Sequence, residues 1–403
     1  MIKIDTKGYK IFSFGEIASN ISERVKPQDT DLDIYVGLEH LDPECIHIKR
    51  KGIPSDVKGT KLRVYTGDII FGKRRAYQRK AGLVDFDGIC SAHAMVVRAN
   101  SDIILPELFP FFIHSDAFMH RAIDVSEGSL SPTIKWKILA EEKFKLPSLP
   151  EQKSLADLLW SVDEASEKGQ KLLSNIEIFQ QVKMKQMLDA KHLIKDKGSL
   201  PKGWEEKRIS ELGVVSTSSV DKKTKKGEKI INLINYMDVY KSKDKKIINN
   251  MEFMKVSANK NQLIKNQVRK GDVLFTPSSE TSDDIGHSTV VYEDLLETLY
   301  SYHLVRLRFH GDQDLDLDYK RFVFNNPRVM RYFSLRSKGI TRMTLGLADF
   351  NELKILVPPL NDQKKIANFI SIIIKAIVLV EDQIKKSKNI QKQLINQIFG
   401  GKL

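Results

Sequence analysis

The heptapeptide Pro-Ser-Leu-Pro-Glu-Gln-Lys at residues 147–153 returns as Pro-Pro-Leu-Asn-Asp-Gln-Lys at residues 358–364. Gln152 and Gln363 stand 211 residues apart, which is about half of the 403-residue chain. Each copy precedes a long stretch with helical periodicity. This repeat is too long for a solenoid unit, whose period is roughly 20–50 residues. The sequence therefore predicts two similar domains, each followed by a long helix.

The composition is that of a soluble globular protein, with 41% hydrophobic and 29% charged residues. The N-terminus lacks an apolar leader segment, and no apolar run reaches the roughly 20 residues that span a membrane. Two cysteines without metal-type spacing indicate a reducing compartment, so we expect a cytoplasmic protein without a metal site. The formal net charge of +13 favours a polyanionic partner.

The offset between the two copies grows along the chain. It is 195 residues at Gly8 and Gly203, and 204 at the turn signals Gly67-Asp68 and Gly271-Asp272. It reaches 211 at Gly128 and stays constant to the end. The second copy has therefore gained residues between about 204 and 300, whereas the last part of each copy keeps its length.

Short apolar or alternating runs predict strands, and mixed aromatic and helical periodicity marks residues 106–121 and 317–331. The predicted strands are Ile34–Leu38, Lys61–Tyr65, Asp68–Phe71, Ala94–Arg98, Val273–Phe275 and Leu304–Phe309. We expect an α+β fold for each copy. The predicted boundaries are a first domain at 1–148, a first helix at 149–190, a linker at 191–202, a second domain at 203–359 and a second helix at 360–403.

A coiled-coil seam marks the second long helix, because apolar residues recur at alternating spacings of four and three. The seam positions that we assign to a helix–helix or subunit interface are Ile370, Ile373, Ile377, Val380 and Ile384, with Leu155, Leu159, Val162, Leu173 and Ile176 in the first helix. A neighbouring stripe, which predicts a wider buried face on the first helix, continues through Leu158, Ala165, Leu172 and Phe179. We expect the two helices to pack on each other in antiparallel fashion. The alternative is that each helix covers only its own domain.

Common catalytic signatures do not occur. The chain has no phosphate-binding GxxxxGK[ST] loop, no GxGxxG after a strand, and neither HExxH nor GxSxG. His93 and His303 occupy equivalent repeat positions, which favours a shared structural role over a metal pair. We therefore expect no catalytic site in this chain.

A basic segment with aromatic and amide side chains follows the predicted strand that ends at Phe71. Arginine can make bidentate bonds to guanine, glutamine to adenine, and lysine contacts phosphate. We predict that the segment binds DNA through Lys73, Arg74, Arg75, Tyr77, Gln78 and Arg79. The alternative is a solvated loop of ordinary charge.

The equivalent segment of the second copy is rich in hydroxyls instead of cations. The residues predicted to contact DNA there are Thr276, Ser278 and Ser279. Hydroxyls supply little attraction to phosphate, so the cations must come from elsewhere in that domain. The candidates are Lys222, Lys223, Lys225, Lys226, Lys243, Lys245, Lys246, Arg336, Lys338 and Arg342.

A third feature shared by both copies is a glycine turn with hydroxyls and at least one cation, at residues 127–136 and 338–344. Backbone N–H groups and such side chains can grip phosphate. The candidate residues added by this turn are Ser129, Ser131, Lys135 and Thr341. The alternative is a tight turn that leads into the last strand of each domain.

Together these segments resemble the DNA-specificity subunit of type I restriction–modification systems, over essentially the whole chain. The resemblance rests on residues 35–41, 67–77, 88–91 and 146–153 in the first copy, and on residues 271–275 and 357–364 in the second. It implies two α/β target recognition domains separated by two long antiparallel coiled-coil helices, in a pseudo-twofold internal repeat. Each domain would read one half of a bipartite, asymmetric site in double-stranded DNA.

The resemblance also implies partners. Two methyltransferase subunits carrying S-adenosylmethionine would dock on the helices, and restriction subunits using ATP and magnesium would join for cleavage. This chain itself would hold no cofactor. Two other readings stay open: a stand-alone or anti-restriction DNA-binding protein of the same fold, and a single-chain nuclease or methyltransferase.

Overall fold

The computed structural model describes residues 8–189, 200–311 and 315–400. The chain divides into two compact units. The first unit comprises Met1–Lys171 and Glu381–Leu403, and the second comprises Leu172–Val380. The linker predicted at 191–202 lies outside the described residues, apart from its last three.

The first unit combines short strands, short helices and one long helix. Its strands are β1 Lys10–Ser13, β2 Ala18–Ile21, β3 Arg24–Val25, β4 Tyr35–Val36, β5 Lys61–Val64, β6 Ile69–Phe71, β7 Ala81–Leu83, β8 Gly88–Cys90, β9 Met95–Ala99 and β10 Lys143–Leu146. Its helices are α1 Phe14–Ile17, α2 Phe109–Ile113, α3 Asp116–Asp124, α4 Trp136–Leu139 and the start of α5 Leu149–Asp189.

The second unit repeats this plan with additions. Its strands are β11 Glu205–Arg208, β12 Gly213–Thr217, β13 Lys229–Ile234, β14 Lys246–Ile247, β15 Met254–Ala258, β16 Val273–Phe275, β17 Ser278–Ser279, β18 Ser288–Val291, β19 Thr298–Tyr300, β20 Val305–Phe309, β21 Met343–Thr344 and β22 Lys354–Val357. Its helices are α6 Ile209–Leu212, α7 Tyr236–Tyr240, α8 Lys260–Lys265, α9 Leu317–Val323, α10 Pro327–Arg336, α11 Leu347–Asn351 and the start of α12 Leu360–Phe399.

The first unit is built on two four-stranded sheets, in the orders β2-β9-β6-β7 and β3-β5-β8-β4. The first and last strands, β1 and β10, form a separate antiparallel ribbon in which Phe12 faces Phe144. An aromatic cluster fills the core, where the ring of Phe14 lies 5.0 Å from that of Phe118 and 6.3 Å from that of Phe112. Strand β6 is buried on both faces, which explains why its residues are all apolar.

The second unit has a five-stranded sheet, β12-β20-β16-β18-β14, and a three-stranded sheet, β15-β13-β19. Two of the places that hold the extra residues predicted for this copy are clear from the strands. Strand β15 adds an antiparallel partner to β13, whereas the strand equivalent to β13 in the first unit is the two-residue β4. The loop that follows β16 spans residues 276–287, and the loop that follows β6 spans residues 72–80.

The repeated Gly-Asp turn has the same function in both units. Asp68 is buried and accepts hydrogen bonds from Arg98 Nε at 2.7 Å and Nη2 at 3.0 Å. Asp272 accepts the same pair of bonds from Arg308, at 2.9 and 2.6 Å. The glycine before each aspartate has a positive φ. The turn therefore holds a bidentate ion pair that joins two neighbouring strands of each sheet.

The repeated glutamine of the opening motif joins each long helix to its domain. Gln152 is buried; its Oε1 accepts a hydrogen bond from the backbone N–H of Leu105 at 2.8 Å, and its Nε2 donates to the carbonyls of Ile103 and Pro147. Gln363, also buried, accepts from the N–H of Asp316 at 2.7 Å and donates to the carbonyl of Pro358, two residues before its helix. One amide therefore satisfies several backbone groups that would otherwise be buried without partners.

The two long helices pack on each other in antiparallel fashion, as predicted. In the first unit, Gln391 of α12 donates to Asp163 of α5 at 3.0 Å, and Ile384 packs so close to Gly169 that a Cβ there would lie 2.9 Å from it. In the second unit, the ring of Phe179 lies 6.3 Å from that of Phe369. Each unit thus contains the beginning of one long helix and the end of the other.

The predicted seam of α12 is largely buried. Ile370, Ile373 and Ile384 are buried, and Ile377 and Val380 are partly buried. In α5, Leu159 is buried in the core of the first unit, where Leu155 and Val162 also pack, and Leu173 and Ile176 are partly buried.

The wider buried face predicted for the first helix is found only at Leu158, which is partly buried against the core of the first unit. Ala165, Leu172 and Phe179 are exposed. The buried face of α5 also contains polar Asp163, which is bonded to His47 and Gln391, and Ser166.

A polar network joins the loop after β4 to both helices in the first unit. His47 Nε2 lies 2.6 Å from Asp163, which also accepts the bond from Gln391. The hydrogen bond to Asp163 raises the pKa of His47 against the opposing effect of burial. Burial alone would raise the pKa of Asp163, but the bonds from His47 and Gln391 lower it. Lys49 pairs with Glu167 beside this network.

Replacing Gln152 by leucine should destabilise the first unit by about 3 kcal/mol, because three backbone groups lose their only side-chain partner in a buried setting. Urea denaturation followed by circular dichroism measures this change. Gln181→Leu, on an exposed position of the same helix, is the matched control and should change stability little. Equal effects of the two substitutions would contradict the assigned role of Gln152.

The contribution of His47 to stability should depend on pH. Because folding raises the pKa of His47, this contribution is full below about pH 6.5 and is lost as the pH rises through the folded-state pKa. The difference in melting temperature between the natural protein and His47→Asn should therefore shrink between pH 6 and pH 9. His120→Asn, at an exposed site, should show no such trend. A constant difference for His47→Asn would exclude the charged pair.

Candidate nucleic-acid interface

In the first unit, two segments far apart in sequence meet to form one surface. The loop at 72–80 leaves β6, and the hairpin at 127–133 closes between Glu127 and Thr133. The N–H of Arg75 donates to the carbonyl of Pro132 at 2.7 Å, and a backbone bridge joins Arg74 to Thr133. The basic segment and the glycine turn predicted from sequence are therefore parts of the same site.

Arg74 and Arg75 are the exposed cations at the centre of this surface. Their Nε atoms lie 2.7 and 3.3 Å from the hydroxyl of Ser131, which orients both guanidinium groups. Within the described ranges, neither guanidinium has a carboxylate at ion-pair distance. Arg75 also has a left-handed backbone, with φ of 57°. A strained backbone that presents unneutralised cations is typical of a binding site.

Other predicted residues of the first unit have different surroundings. Tyr77, Gln78 and Ser129 are exposed. Lys135 is exposed and pairs with Glu127 at 2.6 Å. Lys73 is half-buried, and burial lowers the pKa of its ammonium group.

Arg79 does not belong with the other residues predicted to contact DNA. Its guanidinium is only 17% exposed and pairs with Glu44 at 3.1 Å and Asp116 at 2.6 Å. Because these carboxylates already neutralise its charge, Arg79 has a structural role and is not part of the proposed interface.

A concave region of about 480 Å³ adjoins the loop and the hairpin. Its lining includes the basic residues Arg24, Lys61, Lys73 and Lys135 together with Trp136. The sequence did not connect Arg24 and Lys61 with this region, because they belong to β3 and β5, in a different sheet from the loop after β6. A basic concavity of this kind suits a phosphate-bearing partner.

The second unit places the equivalent segments together in the same way. Ser278 of β17 pairs with Thr344 of β21, and the N–H of Leu345 donates to the carbonyl of Pro277 at 2.8 Å. A hairpin between Lys338 and Thr344 closes the turn. The frame of the surface is therefore shared by both units, although the side chains differ.

The structure corrects two predicted residues here. Thr276 and Ser279 are buried, so their hydroxyls support the loop from inside. Arg336, at the end of α10, is exposed and pairs with Glu352 at 2.7 Å. Ser278 is partly exposed, and Lys338, Thr341 and Arg342 are exposed on the hairpin.

The cations of the second surface come from separate segments. The pKa of His303 is lowered by burial, and then by the positive charges of Lys222 and Arg342, which lie close to it. The exposed ring of Tyr302 lies 3.9 Å from the imidazole. From sequence, His303 was predicted to have a structural role, and Tyr302 was not singled out. Of the other candidates, Lys245 is largely buried, with a pKa lowered by that burial.

No helix within residues 8–189, 200–311 and 315–400 has the length and apolar character needed to cross a membrane. Across the same described ranges, His, Cys, Asp and Glu side chains form no cluster of three or more that could hold a metal ion.

The chain contains two α+β copies with the same frame of strands and differently composed loops. This arrangement defines a class of duplicated protein with two separate surfaces. The model for the type I restriction modification DNA specificity domain matches the chain twice, over residues 47–177 and 201–388. These matches cover well over half of the chain, which belongs to this family.

Two relatives have names that fit this family. Over 143 residues the chain is 31% identical to the specificity subunit of the type I restriction enzyme EcoDI of Escherichia coli, covering 34% of this chain and 31% of that protein. Over 175 residues it is 22% identical to the HindI specificity subunit of Haemophilus influenzae, covering 42% of this chain and 38% of the relative. The matched stretches span about a third of each relative.

Two solved structures share the fold over nearly their whole length. A chain from a study of complex assembly and conformational transition in a type I restriction–modification system has a TM-score of 0.61 and 18% identity, with 97% of both chains covered. The S subunit of the type I system of M. genitalium has a TM-score of 0.58 and 10% identity, covering 100% of this chain and 99% of that chain. At these identities the likeness shows the fold, and it confirms the predicted α+β architecture.

Two neighbouring arginines of the first unit should respond differently to substitution. Arg79→Ala should lower stability by about 2 kcal/mol, because the partly buried carboxylate of Asp116 and the exposed carboxylate of Glu44 lose a charged donor. Arg74→Ala should change stability by less than about 0.5 kcal/mol, since its side chain is exposed. Thermal denaturation of both variants tests the assignment. A larger loss for Arg74→Ala would reverse the two roles.

Proposed function

We propose that this chain is the DNA sequence-specificity subunit of a type I restriction–modification complex. Each unit reads one half of a bipartite, asymmetric site in double-stranded DNA. The observation that carries the proposal is the pair of surfaces at 72–80 with 127–133 and at 276–281 with 338–344, which share a frame and differ in chemistry. Family membership supports it.

The first surface suits direct readout of bases. Arg74 and Arg75 are exposed and held by one hydroxyl, so their remaining N–H groups can point at base edges or phosphates. Arginine bidentate to guanine is the commonest specific contact in the major groove, and glutamine such as Gln78 can pair with adenine. The net charge of +13 adds general attraction to the DNA backbone.

The second surface presents a different set of cations, hydroxyls and aromatic groups. Arg342 and Lys338 stand on its hairpin, with Lys222 and Tyr302 beside them. Because the two sets of side chains offer different donors and acceptors, the two halves of the DNA site differ in sequence. This difference makes the complete site asymmetric.

The helices supply the docking surface for two methyltransferase subunits. Both helices carry exposed apolar side chains within the second unit, which a helix pair in water alone would not need. These residues are Leu172, Ile178, Phe179, Val182, Ile372, Val378 and Leu379. The methyltransferase subunits hold S-adenosylmethionine, and restriction subunits that use ATP and magnesium join them in the cytoplasm. This chain contributes recognition and performs no catalysis.

The test uses the full chain in complex with its methyltransferase and the site found by methylome sequencing of a host that expresses both. Arg74→Ala combined with Arg75→Ala should weaken DNA binding by about 10- to 100-fold. The binding constant should also fall less steeply with salt, by the amount that roughly two phosphate contacts contribute. Sequence preference should relax in one half-site only. Arg50→Ala, an exposed arginine already paired with Asp42, is the matched control.

Other outcomes would identify a different function. Selective DNA binding without capture of any methyltransferase would indicate a stand-alone or anti-restriction protein. Methylation or cleavage by the purified chain alone, given S-adenosylmethionine, ATP and magnesium, would refute a non-catalytic subunit. Relaxation of both half-sites by the double arginine variant would contradict the assignment of one half-site to each unit.

A further inference from the structure

The tip of each hairpin presents a fully exposed aliphatic side chain. Leu130 is 91% exposed in the first unit, and Ile340 is 103% exposed in the second. These are the two highest exposures among the large apolar residues of the described chain. Single exposed apolar residues are common on proteins. Two such residues on equivalent hairpins require a more specific explanation.

The two residues do not occupy equivalent sequence positions. Both hairpins have five residues between their bridged ends, Glu127 with Thr133 and Lys338 with Thr344. Counted from those ends, Leu130 is the third residue of its turn and Ile340 is the second. Both hairpins therefore present an aliphatic side chain at the tip, although the two side chains come from different positions of the turn.

Each tip is held firmly by its surroundings. Gly128 and Gly339 have φ of 111° and 147°, and a Cβ at Gly339 would collide with the carbonyl oxygen of Arg342. The base of each hairpin is bonded in both directions across its bridged pair. Because the backbone of each hairpin is closed at its base, the turn loses little backbone ordering entropy when it meets a partner.

The groups around each tip are those that hold DNA. Leu130 lies between Ser129 and Ser131, and the latter hydroxyl is bonded to Arg74 and Arg75. Ile340 lies between the glycine of its turn and a threonine, with Lys338 and Arg342 on the same hairpin. In DNA, phosphates surround the apolar faces of stacked bases. A tip with an apolar centre surrounded by cations and hydroxyls is complementary to that arrangement.

We propose that Leu130 and Ile340 are wedges that insert between neighbouring base pairs, each unstacking one step of its half-site. This inference rests on the proposed function and extends it. Leucine and isoleucine are among the side chains that insert between base steps and kink the duplex. Pyrimidine–purine steps unstack most easily, so each half-site should contain such a step where its wedge enters. These positions would be specified without any hydrogen bond to a base.

The experiment uses the full chain with its methyltransferase and target duplexes that carry 2-aminopurine at successive positions. Binding should raise the fluorescence at one step in each half-site. Leu130→Ala should abolish the signal in the first half-site alone, and Ile340→Ala that in the second. Each substitution should weaken binding by about 10-fold, the scale of one lost specific contact. Leu130→Met, which keeps a flexible apolar side chain, should retain the signal.

Matched controls separate the wedge from general surface effects. Ile53→Ala in the first unit and Leu296→Ala in the second remove exposed apolar side chains elsewhere and should change neither signal nor affinity. An adenine extruded by the methyltransferase would give a signal of its own, which should be insensitive to Leu130 and Ile340. Circular dichroism should show all four alanine variants folded.

Two results would overturn the wedge. One is fluorescence unchanged by either alanine substitution. The other is a loss of affinity without any change in fluorescence, if replacing a thymine of the site by deoxyuracil causes the same loss. That result would indicate that the side chain contacts a thymine methyl group. If the Arg74→Ala and Arg75→Ala variant weakens binding while the wedge variants do not, only the wedge fails. If the natural complex selects no sequence at all, the proposed function fails as well.

Discussion

The buried amides of Gln152 and Gln363 are the interaction on which each unit depends. Each glutamine lies in the first turn of a long helix and bonds to backbone groups of the domain before it. Buried backbone groups need such partners, and an amide that both donates and accepts can satisfy several at once. The helix is thereby joined to the domain at one defined point, near the ribbon formed by the first and last strands.

Around this shared frame the two units differ in the loops that follow β6 and β16. The bidentate pairs Asp68 with Arg98 and Asp272 with Arg308 hold the same strands in both. The loops beyond them differ in length and in the side chains that they expose. Arg74 and Arg75 stand on one surface, whereas Lys338, Arg342 and Tyr302 stand on or beside the other. A constant frame with interchangeable loops is a physical basis for two different recognition surfaces in one chain.

Sequence patterns located the strands around Phe71 and Phe275 and the antiparallel helices, because apolar periodicity depends directly on burial. They were less successful on the inner face of α5, where apolar Leu172 is exposed and polar Asp163 is buried. The buried aspartate is stabilised by His47 and Gln391, which lie far from it in sequence. No local pattern could reveal that arrangement.

The duplication, the constant length of the helical part and the chemistry of the loops follow from residue order alone. Which of those loop residues are accessible depends on folding. Arg79 and Thr276 belong to the predicted segments, yet folding uses one in ion pairs and buries the other. It also brought Leu130 and Ile340 to the tips of their hairpins. Accessibility depends on contacts between distant segments, and therefore only the folded chain can determine it.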